Sequence, residues 1–317
     1  MTKSEFYNIV KMDDINVSIP HTSHFTIGTS PYYAHQHALG IDIYQSLLLD
    51  NYKVLSPISG EILKIKTLLA PKPRFTGGID KDFLTLVSIP HNPETTYKIL
   101  HVKPNNIQVG DRIEIGDPIG TTIRNGYFAN WSSPHLHLEI RPSNDAIRAS
   151  GGCAFSLAFN TKKKKEYIEE RNYEEMQMKI YSVFPEFYLA KFSEALYKFI
   201  DPIYGVKVRV NEESYILDGG IPHYKNGTII SDNSFEQVKD LSIYLENQRI
   251  GKLNELRGHF GFFKFDKSLK FLLNDEEIRG ISLYLANFMP LIKIIPYKDK
   301  EITLDTKSTP LLTILST

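Results

Sequence analysis

The chain has 317 residues, 42% of them hydrophobic, and its 37 Lys and Arg are matched by 37 Asp and Glu. That length buries one large core or two moderate ones, and the zero net charge argues against nucleic acid or an anionic membrane as a partner held by charge. The single cysteine, Cys153, excludes an internal disulfide, and no run reaches the roughly 18–20 apolar residues of a membrane helix.

Residues 1–30 form an N-terminal segment without the apolar core of a signal peptide, so the expected location is cytoplasmic by default. Action outside the cell would then need lysis or unconventional export. Over residues 31–150, Gly and Pro punctuate short β-branched runs, which predicts a compact antiparallel β domain. Eight of the ten histidines fall between His21 and His137. His35 and His37 precede Asp42, and two imidazoles with one carboxylate make a sound zinc set that leaves a fourth position for water. Taken alone, the same residues read better as surface histidines and a strand-end carboxylate. Residues 66–78, rich in Pro and Gly and carrying Phe75, suit a groove wall or a plain surface loop. Residues 134–142 alternate as a strand, so His135 and His137 share one face and Leu136 and Leu138 the other.

Beyond Gly151 and Gly152 the pattern changes. Residues 161–200 keep an approximately helical rhythm through Met176, Ile180, Phe184 and Phe187, interrupted by Pro185. The charge run at 162–171 reads as a solvated helix start. Residues 151–203 are therefore expected to be a helical connector. Residues 204–317 return to strands: 206–210 alternate, 291–295 read as a buried strand, and Gly219-Gly220, Asn226-Gly227 and Asn274-Asp275 supply turns. His223 and His259 have no partner spacing that makes a ligand set. The C-terminal half is expected to be α+β, serving either recognition of a target or simple stabilisation.

The N-terminal motifs gain meaning together. His37-Ala38-Leu39-Gly40-Ile41-Asp42 is followed by a small-residue turn and strand at 54–65, then a strand running into His101. A tandem turn follows at 109–120, and the series closes on His135-Leu136-His137-Leu138-Glu139. In order and residue type this series resembles the lysostaphin/LytM-type zinc metallopeptidases, which cleave peptide bridges in bacterial cell walls. The resemblance covers about residues 35–142. It implies a mainly β N-terminal domain, a barrel-sandwich-like peptidase fold in which an antiparallel sheet floors a groove. It also implies Zn2+ held by His37, Asp42 and His137, with His101 and His135 as the catalytic histidines handling protons and the oxyanion. Glu139 would steady a histidine ring from behind.

One spacing departs from the family. Three residues usually separate the first ligand histidine from the aspartate, whereas four separate His37 from Asp42. A strand bulge would absorb the extra residue, which favours His37 over His35. The implied activity is zinc-dependent hydrolysis of cell-wall cross-links, with no nucleic acid and no integral membrane segment. The alternative is a non-catalytic adaptor on the same scaffold that regulates a partner hydrolase. Such adaptors lose metal ligands, and this chain keeps them.

Overall fold

A computed structural model describes residues 5–160, 176–232, 241–298 and 302–316. The chain divides into two compact units, one of residues 1–25 and 32–158, the other of residues 26–31 and 159–317. Both are built almost wholly of β-strands. Among the described residues no helix is long and apolar enough to cross a membrane.

In the first unit the strands are β1 (Phe6–Met12), β2 (Ile15–Pro20), β3 (His24–Thr26), β4 (Gly40–Tyr44), β5 (Lys53–Leu55), β6 (Gly60–Leu69), β7 (Lys81–Ile89), β8 (Asn92–Leu100), β9 (Val102–Pro104), β10 (Arg112–Ile113), β11 (Pro118–Thr122) and β12 (Leu136–Pro142), with one helical turn, α1 (Tyr33–Gln36). A seven-stranded sheet runs β10-β6-β7-β8-β12-β4-β3, beside a small β5-β11-β9 sheet and the β1-β2 hairpin. The tandem turn read from sequence is present, with Gly110 and Gly116 at φ of 92° and 96°.

Register is what builds the site. In β12, His137 pairs with Asp42 of β4 on one side and Leu100 of β8 on the other, and Glu139 pairs with Gly40 and Lys98. Strand alternation then sends His137, Glu139 and Arg141 to one face, while Leu136, Leu138 and Ile140 pack on the other. All six are buried.

In the second unit six strands close into a ring. Ile203–Val210, Glu213–Ile221, Asn226–Ile230, Phe260–Phe265, Gln248–Arg257 and Ser242–Leu245 pair in that order, and the last returns to the first. Closure leaves those strands no free edge. Val206, Val208, Leu217, Ile229, Ile243 and Phe263 fill the core. The strands expected at 206–210 and 291–295 are both present, as Ile203–Val210 and Ile292–Ile295.

The helical reading of 161–200 is corrected where it can be compared. Residues 161–175, with the charge run, lie outside the described residues. Residues beyond them form Met178–Val183, Tyr188–Phe192 and Tyr197–Ile200, strands joined by tight turns. Met178 and Ile180 are buried while Lys179 and Tyr181 are exposed, which is a period of two. Pro185 sits in the hairpin turn that Phe184 N closes on Phe187 O at 2.9 Å, rather than in a kinked helix. Gly219 and Gly220 lie inside a strand and not in a turn. A Cβ on Gly220 would meet the Tyr224 ring at 2.3 Å, so close packing demands this glycine.

Candidate metal and catalytic site

Four histidines and an aspartate meet where β4, β8 and β12 run side by side. Asp42 and His137 face each other across the β4–β12 ladder, with His137 Nδ1 2.8 Å from Asp42 Oδ1. His35 reaches the same place from α1, its Nε2 3.2 Å from both Asp42 Oδ1 and His137 Nδ1. One donor atom from each of His35, Asp42 and His137 lies within 4.8 Å of the others, and all three residues are buried.

The structure reverses the two upstream histidines. His37, favoured from spacing, is only half-buried and turned away from the aspartate; its Nδ1 lies 2.8 Å from Tyr33 O, and its ring stacks on Tyr33 with centroids 4.1 Å apart. No bulge absorbs the extra length. Instead the chain makes one helical turn at 33–36, then turns through Ala38 at a φ of 49° into β4. A helical turn puts residues 35 and 37 on different faces, so only His35 is directed at the aspartate. Gly40 is needed there because a Cβ would meet His137 Cε1 at 2.7 Å and Ala34 Cβ at 3.0 Å.

His135 and His101 stand beside this group. His135 Nδ1 lies 3.0 Å from Ser133 O, which can only accept, so Nδ1 carries the proton and Nε2, 3.4 Å from Asp42 Oδ2, carries the lone pair. The Tyr44 and Phe128 rings each sit 4.8 Å from its ring. His101 follows β8 at a φ of 65°. Its ring centroid is 5.5 Å from that of His135 and 6.0 Å from that of His137. Its Nδ1 is 2.8 Å from Asp82 Oδ2.

Charge on this face is strongly organised. Burial alone would raise Asp42, but His135, His35 and His137 hold it well below the ordinary carboxylate range. Burial lowers His135 to about 4, so it is neutral near pH 7. Burial also works against a charged His137, yet hydrogen bonds to Asp42 and Glu139 lift it to about 9. Glu139 Oε1 lies 3.1 Å from His137 Nε2 and 2.9 Å from Lys98 Nζ, and its Oε2 lies 3.1 Å from Arg141 Nη1. Burial would raise Glu139, and His137 with Lys98 instead pulls it down to about 2.

This arrangement fits a bound cation. His35 Nε2, Asp42 Oδ1 and His137 Nδ1 are acceptors or acceptor-capable atoms converging on one point, where they share only protons. A zinc ion suits two imidazoles and a carboxylate. The second nitrogen of His137 rests on Glu139, the outer carboxylate contact that a metal-bound histidine usually has.

Sequence reasoning missed Asp82 and Lys98. Asp82 lies in a strand with no motif around it and Lys98 is not itself a motif position, so only pairing across the sheet reveals them. Phe75, read from sequence on either a groove wall or a plain surface loop, is half-covered, with the Arg124 guanidinium 4.0 Å above its ring.

No curated protein matches the sequence. Among solved structures, the antimicrobial peptidase lysostaphin from Staphylococcus simulans is 13% identical, covering 93% of this chain and 96% of that one, with a TM-score of 0.27. A zinc-containing peptidase from Vibrio cholerae is 17% identical over 49% of this chain and 37% of that one, with a TM-score of 0.23. The SpoIIQ-SpoIIIAH pore forming complex is 15% identical over 39% and 80%, at a TM-score of 0.26. At those scores the functional argument rests on the site's own geometry. Residues 15–157 match the model described as the N-terminal domain of a domain of unknown function (DUF8155), and residues 201–307 match the one described as its C-terminal domain. Together the two matches span well over half of the chain, which belongs to the DUF8155 family.

Proposed function

We propose that the first unit is a zinc-dependent endopeptidase that hydrolyses peptide cross-links of a cell-wall-like polymer. The observation that carries this reading is the buried convergence of His35, Asp42 and His137 with two further histidines alongside. The motif series over residues 35–142, which resembles the lysostaphin/LytM-type peptidases, supplies the substrate class.

His35, Asp42 and His137 would hold the zinc, with His35 in place of the His37 expected from spacing. When bound, the metal supplies Lewis acidity for the scissile carbonyl and for an attacking water. The chain's own residues do the rest. His135, neutral near pH 7 with its lone pair at Nε2, is placed to accept a proton. His101, on the other side of the Phe128 ring, is placed, once it has taken up a proton at Nε2, to donate to a developing oxyanion or to the leaving amine. Glu139, clamped by Lys98 and Arg141, keeps His137 from rotating. Phe128 and Tyr44 exclude water from the flanks of His135.

The test is elemental analysis of the purified chain beside His137→Ala, followed by incubation of both with cross-linked wall fragments. About one zinc per chain, lost in the variant together with release of cleaved peptides, is the expected result. A wild type that takes up no zinc even when supplied with it would overturn the reading and favour the adaptor.

A further inference from the structure

The dyad of Asp82 and His101 carries a role that the motif series does not contain. Asp82 is the second residue of β7, two strands away from β12 in the sheet, and is buried. Its carboxylate meets His101 at two points, a close ion-pair contact with the ring and a hydrogen bond from the backbone. Oδ2 lies 2.8 Å from the ring Nδ1, and Oδ1 accepts the His101 backbone N–H at 3.0 Å. Oδ1 also accepts the N–H of Phe83 at 2.8 Å, which fixes the carboxylate's own orientation. The backbone grip falls at the one residue of the β8–β9 junction that takes a positive φ, 65° at His101. Positive φ is uncommon for a side chain larger than glycine, and here the Asp82 carboxylate bonds the backbone N–H of the residue that adopts it.

We propose that Asp82 is the positioning residue for His101: it selects the tautomer protonated at Nδ1 and holds the ring towards His135 and His137. This rests on the peptidase reading given above. The chemistry follows from the donor table. An ionised carboxylate only accepts, so a nitrogen within 2.8 Å of it carries the proton, and the other nitrogen, Nε2, keeps its lone pair for exchange with substrate. When His101 takes up a proton at Nε2, the charge forms against a carboxylate already in place. Burial would raise Asp82, and the contact with His101 reverses this and lowers it, so it remains ionised beside the ring. His135 reaches the same tautomer by another route, with Nδ1 on the Ser133 carbonyl. The two histidines beside the metal group are thus backed differently at Nδ1, one by a charge and one by a neutral dipole.

The test uses the full chain with Asp82→Asn, His101→Ala and the double variant. Long-range proton–nitrogen NMR of the imidazoles reads the tautomer directly and needs neither metal nor turnover. A His101 ring protonated at Nδ1 in the wild type, and redistributed in Asp82→Asn, is the expected result; protonation at Nε2 in the wild type overturns the proposal. Turnover of wall fragments gives the second arm. Asp82→Asn should keep its zinc and its KM and lose about 10–100-fold in kcat, while adding it to His101→Ala should cost nothing further. Losses that multiply in the double variant would mean that Asp82 acts elsewhere, and overturn the proposal. If the wild type cleaves no wall fragment, the peptidase reading fails while the tautomer result still decides what Asp82 does.

Discussion

The two units bury very different chemistry in similar strands. Among the described residues of the first unit, His24, His35, Asp42, Asp82, Lys98, Arg124, His135, His137, Glu139 and Arg141 are all buried; in the second, the buried ionisable residues are Asp218 and Lys293. Burying charge is costly unless it is paired and hydrogen-bonded. The first unit accepts that cost on a single sheet face, through the ladder Asp42–His137, His137–Glu139 and Glu139–Lys98. The second closes its strands around Leu217, Ile229 and Phe263, which need no partners. A closed apolar barrel is what stability alone produces, so the charged face of the first unit points to function.

The largest effects should come from breaking that face at its centre. His135→Ala and His101→Ala should each retain zinc and lose about 10²–10⁴ in kcat, the usual span for a general acid or base; loss of zinc from either, read by elemental analysis, would show that ligand and proton-handling roles had been exchanged. Next comes the choice between the upstream histidines. His35→Ala should release the metal, whereas His37→Ala, which removes a half-buried ring stacked on Tyr33 and outside the ligand group, should keep full zinc and change kcat/KM by no more than a few-fold. The reverse outcome in titrations with a chromogenic chelator would restore the assignment made from spacing.

That reversal shows what the sequence could carry. Asp42, His101, His135 and His137 were legible because strand alternation and short spacing fix which face each occupies. Glu139 was legible for the same reason, two residues along β12 from His137. His35 was not, because the choice between it and His37 turns on whether residues 33–38 bulge or coil. Nothing in Tyr33-Ala34-His35-Gln36 marks a helical turn strongly. Asp82 and Lys98 needed the β7–β8–β12 register, which is long-range information. At 176–200 apolar residues spaced by three and four satisfied a helical pattern while the true period was two. The turn at Asn274-Asp275 was read correctly, with φ of 48° and 68° between Leu269–Leu273 and Glu276–Ile278, because positive φ is a local preference of those side chains.

A smaller pair of variants sharpens the contrast between the units. Lys98→Met leaves Glu139 with Arg141 and His137 but strips one buried cation, and should destabilise by about 3–5 kcal/mol in urea unfolding. Ile216→Val, wholly buried in the barrel, should cost only about 0.5–1.5 kcal/mol. Equal costs would mean that the buried charges of the first unit are less coupled than their distances imply.

The gentlest probe is pH. His137 is raised in the folded chain to about 9 from an ordinary 6.5. A group with a raised folded pKa contributes stability that is fully present below its unfolded value and is lost as pH climbs through the folded one. Metal-free protein should therefore lose stability between about pH 6.5 and 9, by an amount on the order of a few kcal/mol. Glu139, lowered to about 2 from 4.5, contributes in the opposite sense: its share is present above pH 4.5 and fades as pH falls towards 2, outside that window. With zinc bound, His137 Nδ1 has no proton to lose over the alkaline range, so the decline from pH 6.5 to 9 should flatten in the metal-loaded protein. Melting curves of the two forms across that range make the comparison. Parallel curves would show that the proton on His137 and the metal do not compete for the same place, which the convergence of His35, Asp42 and His137 requires.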